Sequence, residues 1–118
     1  MKYALLVYTK PRVYESLSEE ERAAASGEYF ALARDARCVE SAQLQPIETA
    51  TTVRVADGRT LTTDGPFAET KEIFAGYYVF EAGDMDEAIE LASRVPATYL
   101  GGSVEVRPVV EQPVEAAS

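Results

Sequence analysis

The sequence contains no histidine and a single cysteine, and both scarcities remove whole classes of chemistry. Without histidine, the commonest general base and the commonest metal ligand are missing. Zinc sites of the Cys/His type, Ser-His-Asp triads and Cys-His nucleophile pairs go with it, and no metal site or cofactor is expected. Cys38 alone cannot close an intrachain disulfide, which suits a reducing compartment and a cytoplasmic location. It stands between Arg37 and Val39 at a helix-to-strand junction and reads as a small buried side chain rather than a reactive thiol. Basic runs are absent as well. With 20 acidic residues against 11 basic ones the net charge is -9, which argues against nucleic-acid binding, because phosphate contacts need clustered Lys and Arg. The acidic surplus reads as solubility. No apolar run is long enough to span a membrane. Met1 to Tyr8 is apolar but short, and Thr9-Lys10-Pro11-Arg12 follows without a small-residue cleavage site, so it reads as a strand and not a signal peptide.

What is present fits one domain: 118 residues, 47% hydrophobic, enough for a real core. Lys2 to Tyr8 reads as a strand with apolar residues on both faces. Ser18 with Glu21 makes a capping box, and three acidic residues follow the cap in the first turn, so a helix is expected from there to about Arg37. Its apolar face is expected to be Ala25, Tyr29, Leu32, Ala33 and Ala36. A short strand is expected over Val39 to Gln45. Thr51 to Val55 and Thr60 to Thr62 flank Asp57-Gly58, a strong hairpin signal. Gly65-Pro66 reads as a turn, and Phe74 to Glu81 as a strand with large side chains on both faces. Asp84 with Glu87 opens a second helix with the stripe Met85, Ala88, Ile89, Ala92 and Val95, ended by Pro96. Gly101-Gly102 is a turn before a last strand over Val104 to Arg107. Residues 1–110 form the domain, and 111–118, rich in Pro, Glu, Ala and Ser, form a flexible tail.

Without the hairpin the order is βαββαβ, an α+β, ferredoxin-like layout in which two helices cover one face of an antiparallel sheet. The first strand then has a second apolar face with nothing from its own chain to cover it. A large apolar sheet face marks an interface, so two copies are expected to pack sheet to sheet as a homodimer.

Asp64-Gly65-Pro66-Phe67-Ala68-Glu69-Thr70-Lys71-Glu72, followed by Gly76-Tyr77-Tyr78, resembles the YCII-related family, in the branch named for its Asp-Gly-Pro-Phe motif. Leu17-Ser18-Glu19-Glu20-Glu21-Arg22, Leu44-Gln45-Pro46, Thr51-Thr52-Val53-Arg54 and Val104-Glu105-Val106-Arg107-Pro108 match as well, so the resemblance spans roughly residues 1–110. It implies a ferredoxin-like fold assembled as a dimeric α/β barrel, and a functional association with an extracytoplasmic-function sigma factor. Some relatives in the wider superfamily are enzymes on small aromatic compounds with a proposed His-Asp pair; this chain has no histidine to supply one.

The same run has two physical readings. Asp64, Gly65 and Pro66 are turn chemistry, with Phe67 as an apolar anchor. Glu69, Lys71 and Glu72 beside an aromatic strand are candidates to hold a small organic ligand, with Tyr8, Arg54, Tyr77 and Tyr78 lining its site. The tyrosines also fit core packing with the hydroxyl satisfied at the rim. Two functions follow: a homodimeric small-ligand-binding or regulatory module, or a lyase/isomerase-type enzyme acting on a small aromatic or lactone-like acid. In the second, Asp64 is the general base and Lys71 holds the anionic group.

Overall fold

A computed structural model describes residues 1–64 and 72–111. Its strands are β1 (Lys2–Thr9), β2 (Cys38–Gln43), β3 (Thr51–Ala56), β4 (Arg59–Asp64), β5 (Ile73–Glu81) and β6 (Ser103–Pro108); its α-helices are α1 (Glu19–Arg34) and α2 (Met85–Ser93). Four strands pair antiparallel in the order β2-β5-β1-β6, while β3 and β4 form a separate two-stranded sheet. This is the ferredoxin-like βαββαβ fold with an inserted hairpin.

Period two decides the two faces of the sheet. Tyr3, Leu5 and Val7 of β1 and Tyr78 and Phe80 of β5 are buried under the helices, against Leu32 of α1 and Ala88, Leu91, Ala92 and Val95 of α2 and its end. Leu5, Leu32 and Phe80 are fully removed from solvent, each contributing about 1.5–3 kcal/mol of apolar burial. Val104 and Val106 of β6 close the same core from the sheet's edge.

Helix α1 starts where its cap dictates. The Ser18 hydroxyl accepts from the Glu21 N–H at 3.1 Å, and the Glu21 carboxylate accepts from the Ser18 N–H at 2.8 Å. The helix ends at Arg34, short of the expected Arg37, because the Asp35 carboxylate draws the chain into a turn. It accepts the Arg37 N–H at 2.8 Å and the guanidinium at 2.9 Å. Ala25 and Leu32 are buried as expected, but Ala33 and Ala36 face solvent. The strand expected over Val39 to Gln45 runs from Cys38 to Gln43, and Cys38 is only half-buried.

The second helix has a shifted inner face. Ala88, Leu91, Ala92 and Val95 are buried, while Met85 and Ile89 are exposed. Two overlapping stripes exist in this sequence, and the sheet takes the one carrying Leu91. Asp84 caps the helix by accepting the Glu87 N–H at 2.9 Å. The Glu87 carboxylate reaches Gly83, one residue before the cap, and its other oxygen meets the Arg37 guanidinium at 2.8 Å. Arg37 therefore ties the turn after α1 to the start of α2. In the hairpin, Asp57 (φ 52°) and Gly58 (φ 75°) are both left-handed, as a two-residue turn between twisted strands requires. The Gly65-Pro66 turn, Phe67, Glu69 and Lys71 lie outside the described residues, as does the tail from position 112. Glu111, expected in that tail, is described: its carboxylate accepts the Lys2 N–H at 3.3 Å.

Candidate functional site: the open face of the sheet

Directly opposed residues of antiparallel strands point to the same side, so the register reads out the face that the helices leave open. It has three rows. Glu40, Val79, Ala4 and Arg107 form one; Ala42, Tyr77, Leu6 and Glu105 form the next; Phe74, Tyr8 and Ser103 form the third. The middle of this face is apolar and aromatic, and its margins are polar. Phe74 keeps 39% of its surface exposed, and its ring centroid lies 5.5 Å from that of Tyr8.

Two polar contacts define the margins. The Tyr77 hydroxyl donates to the Glu40 carboxylate at 2.6 Å, a short charge-assisted bond. The carboxylate stabilises the neutral phenol and pushes Tyr77 above the ordinary tyrosine range. At the other margin Ser103, opposite Tyr8, donates to the Glu72 carboxylate at 3.1 Å. Glu72 thus brings the end of the Asp64–Glu72 run to the Tyr8 end of the sheet.

Close backbone approach holds these elements together. A Cβ on Gly76 would lie 2.5 Å from the Ala42 carbonyl oxygen, so β5 passes β2 only because residue 76 has no side chain. A Cβ on Gly102 would likewise strike the Tyr8 carbonyl oxygen, at the turn into β6.

The structure sorts the sequence candidates into separate places. Tyr8, Tyr77 and Glu72 belong to the open face and its rim. Tyr78 does not: it points under the helices, where its hydroxyl donates to the Tyr29 carbonyl at 2.9 Å and burial pushes its phenol far upward. Neighbouring strand residues diverge, so Tyr77 and Tyr78 cannot line one site. Arg54 and Asp64 are exposed on the hairpin, on opposite faces of it. Asp64 accepts the Thr51 hydroxyl at 3.1 Å across the hairpin. Glu40, Phe74 and Ser103 were missed from sequence. The available signal was a Glu inside a short strand, where that residue is disfavoured.

Two surface hollows lie elsewhere, one at Gln43 to Pro46 and one between α1 and Tyr99. Among the described residues, no group of three or more Cys, Asp or Glu is placed to hold a metal ion. No helix among them is long and apolar enough to cross a membrane.

The fold and its uncovered sheet define a small ferredoxin-like α+β domain with one half-solvated aromatic face. The chain belongs to the YCII-related domain family, whose profile matches residues 1–113. An uncharacterized protein of Rhizobium meliloti is 36% identical over 116 residues, covering 92% of each chain. Among solved structures, the chain resembles the 5-chloro-2-hydroxyhydroquinone dehydrochlorinase of Burkholderia phenoliruptrix, determined in complex with 2,5-dihydroxybenzoquinone. That likeness has a TM-score of 0.53 at 14% identity and covers 95% of this chain and 96% of the other; it shows a shared fold.

Proposed function

We propose that this protein is a cytoplasmic homodimer in which two open sheet faces come together, as a dimeric α/β barrel, around a site for a small organic ligand. The observation that carries the reading is the open face itself. An aromatic stripe of Tyr8, Phe74 and Tyr77, left half-solvated by its own chain, is bordered by the hydrogen-bonded pairs Tyr77–Glu40 and Ser103–Glu72. Apolar walls with a few convergent polar groups are what small-ligand sites are made of, and a second sheet would supply the missing wall. Ligand capture beside an extracytoplasmic-function sigma factor is the regulatory form of this proposal.

The enzymatic alternative draws on the structural neighbour, which acts on a chlorinated hydroxyhydroquinone. In it, Asp64 serves as general base on a small aromatic or lactone-like acid, and Lys71 holds the anionic group. Asp64 stands on an exposed hairpin end, so this form needs a second surface to enclose it.

Calorimetric titration with 2,5-dihydroxybenzoquinone and with small aromatic acids tests both. Binding that weakens about tenfold in Tyr77→Ala, corresponding to about 1.4 kcal/mol, supports the open-face site. Saturable binding that is untouched by Tyr8→Ala and Tyr77→Ala contradicts it. Asp64→Asn separates the two forms: unchanged affinity and unchanged turnover remove the base.

A further inference from the structure

Among the described residues, the hairpin β3–β4 is a second surface left without a covering element. Among those residues it pairs only with itself, and Val53, Val55 and Leu61 are 60%, 70% and 49% exposed. An isolated two-stranded hairpin is marginal in water and needs something to pack against. Its register gives it two unlike faces. One carries Val53, Val55 and Asp64; the other carries Leu61 between Arg54 and Arg59, with no acidic residue.

That second face matches the open face of the sheet in pattern and in charge. There an aromatic stripe is bordered by the carboxylates Glu40, Glu72 and Glu105, with Arg107 in the far row and Lys2 opposite Glu81 beyond it. The hairpin presents Leu61 with Arg54 opposite it and Arg59 two residues along its own strand, while Val53 and Val55 lie on the other face. It also has the right reach. Six-residue strands extend about 20 Å, against a width of about 15 Å for four strands. Its base leaves the sheet where β2 ends and β5 begins, at the Tyr8–Phe74 end.

We infer that the hairpin is an arm that lies on the margin of the open sheet face of a second copy of this chain, bringing Arg54 and Arg59 against that copy's carboxylates. The inference rests on the homodimer proposed above. It makes the site composite: Tyr8, Tyr77 and Glu40 come from one protomer and Arg54 from its partner. The candidate residues that a single chain keeps apart then meet across the two-fold axis. The occupant is a second copy because uncovered surfaces of complementary charge on one chain satisfy each other isologously.

Charge exchange tests it. One chain carries Arg54→Glu with Arg59→Glu, and another carries Glu40→Lys with Glu105→Lys. Sedimentation velocity reads the dimer dissociation constant of each alone and of the mixture. Each variant alone faces like charges and is expected to dimerise about 100-fold more weakly, while the mixture recovers a heterodimer within about threefold of wild type. Rescue in the mixture arises only if the contact runs between chains. If a reversed variant loses its fold, the neutral Arg54→Gln with Arg59→Gln is read in its place, with about a tenfold loss expected. A double arginine variant that dimerises like wild type, while Leu6→Arg on the sheet face dissociates, overturns the arm and leaves the sheet-to-sheet dimer standing. A wild-type chain that sediments as a monomer overturns both.

Discussion

Replacing Gly76 by Ala probes the contact that aligns the candidate site. The added methyl would sit 2.5 Å from the Ala42 carbonyl oxygen and 3.2 Å from the Gln43 Cα, both backbone atoms of β2. Neither can rotate away as a side chain would. Strand β2 must therefore retreat by about half an ångström or more, and overpacking of this kind costs about 1–3 kcal/mol. At roughly 4 °C per kcal/mol for a domain of this size, the midpoint of thermal unfolding should fall by about 4–12 °C. The loss has a local signature too, because β2 carries Glu40 and its retreat loosens the 2.6 Å bond from Tyr77. Differential scanning calorimetry at one fixed protein concentration is the assay, since a dimer's midpoint moves with concentration. A midpoint within about 1 °C of wild type would mean that β2 does not press on residue 76.

The two faces of β1 should respond differently to truncation. Leu5→Ala removes a fully buried side chain and should cost about 2–5 kcal/mol in denaturant unfolding, whereas Leu6→Ala on the open face should mainly raise the dimer dissociation constant, by about tenfold. Equal unfolding losses at both positions would mean that the open face is covered by something in its own chain. Glu40→Gln removes the charge that holds the Tyr77 phenol neutral, so the Tyr77 titration should move down toward the ordinary range. Ultraviolet difference titration against Tyr77→Phe reads it, and an unmoved titration removes the pair. The Arg37 guanidinium and N–H hold the Asp35 carboxyl below its ordinary value, and the Gly83 N–H, with the Arg37 guanidinium second, does the same for Glu87. Groups with depressed folded values stabilise above the unfolded value and lose that contribution as pH falls through the folded one. The advantage of wild type over Arg37→Gln in thermal melts should therefore shrink steadily as pH falls below about 4. An advantage that grows on acidification would reverse the sign and contradict the pairing.

Much of the fold was legible because its signals are local. Ser18 and Glu21 specify their cap within four residues, and Asp57-Gly58 supplies the left-handed pair that the hairpin needs. The apolar character of both faces of β1 already pointed to an uncovered sheet. The errors fall where tertiary contacts choose between local options. Ile89 and Leu91 both fit a helical stripe, and only docking on the sheet selects Leu91. Asp35 ends α1 early because its carboxylate has Arg37 to bind, a preference no helical periodicity expresses. At the site, Tyr77 and Tyr78 were separable from strand periodicity alone. Glu40 was not, since only the register of β2 on β5 brings it to Tyr77 across 37 residues of sequence. Arg54 and Asp64 sit on a hairpin that, among the described residues, pairs with itself, so no strand register sets them beside the sheet's aromatic stripe.

In the proposed homodimer a second copy of this chain packs on the open face of the sheet. Light scattering on the size-exclusion peak at micromolar concentration reads that packing as a mass. The expected mass is about twice the 12.9 kDa chain, falling to that of the single chain in Leu6→Arg with its circular dichroism intact. A wild-type protein that elutes with the mass of one chain, or a Leu6→Arg variant that stays dimeric, would contradict it.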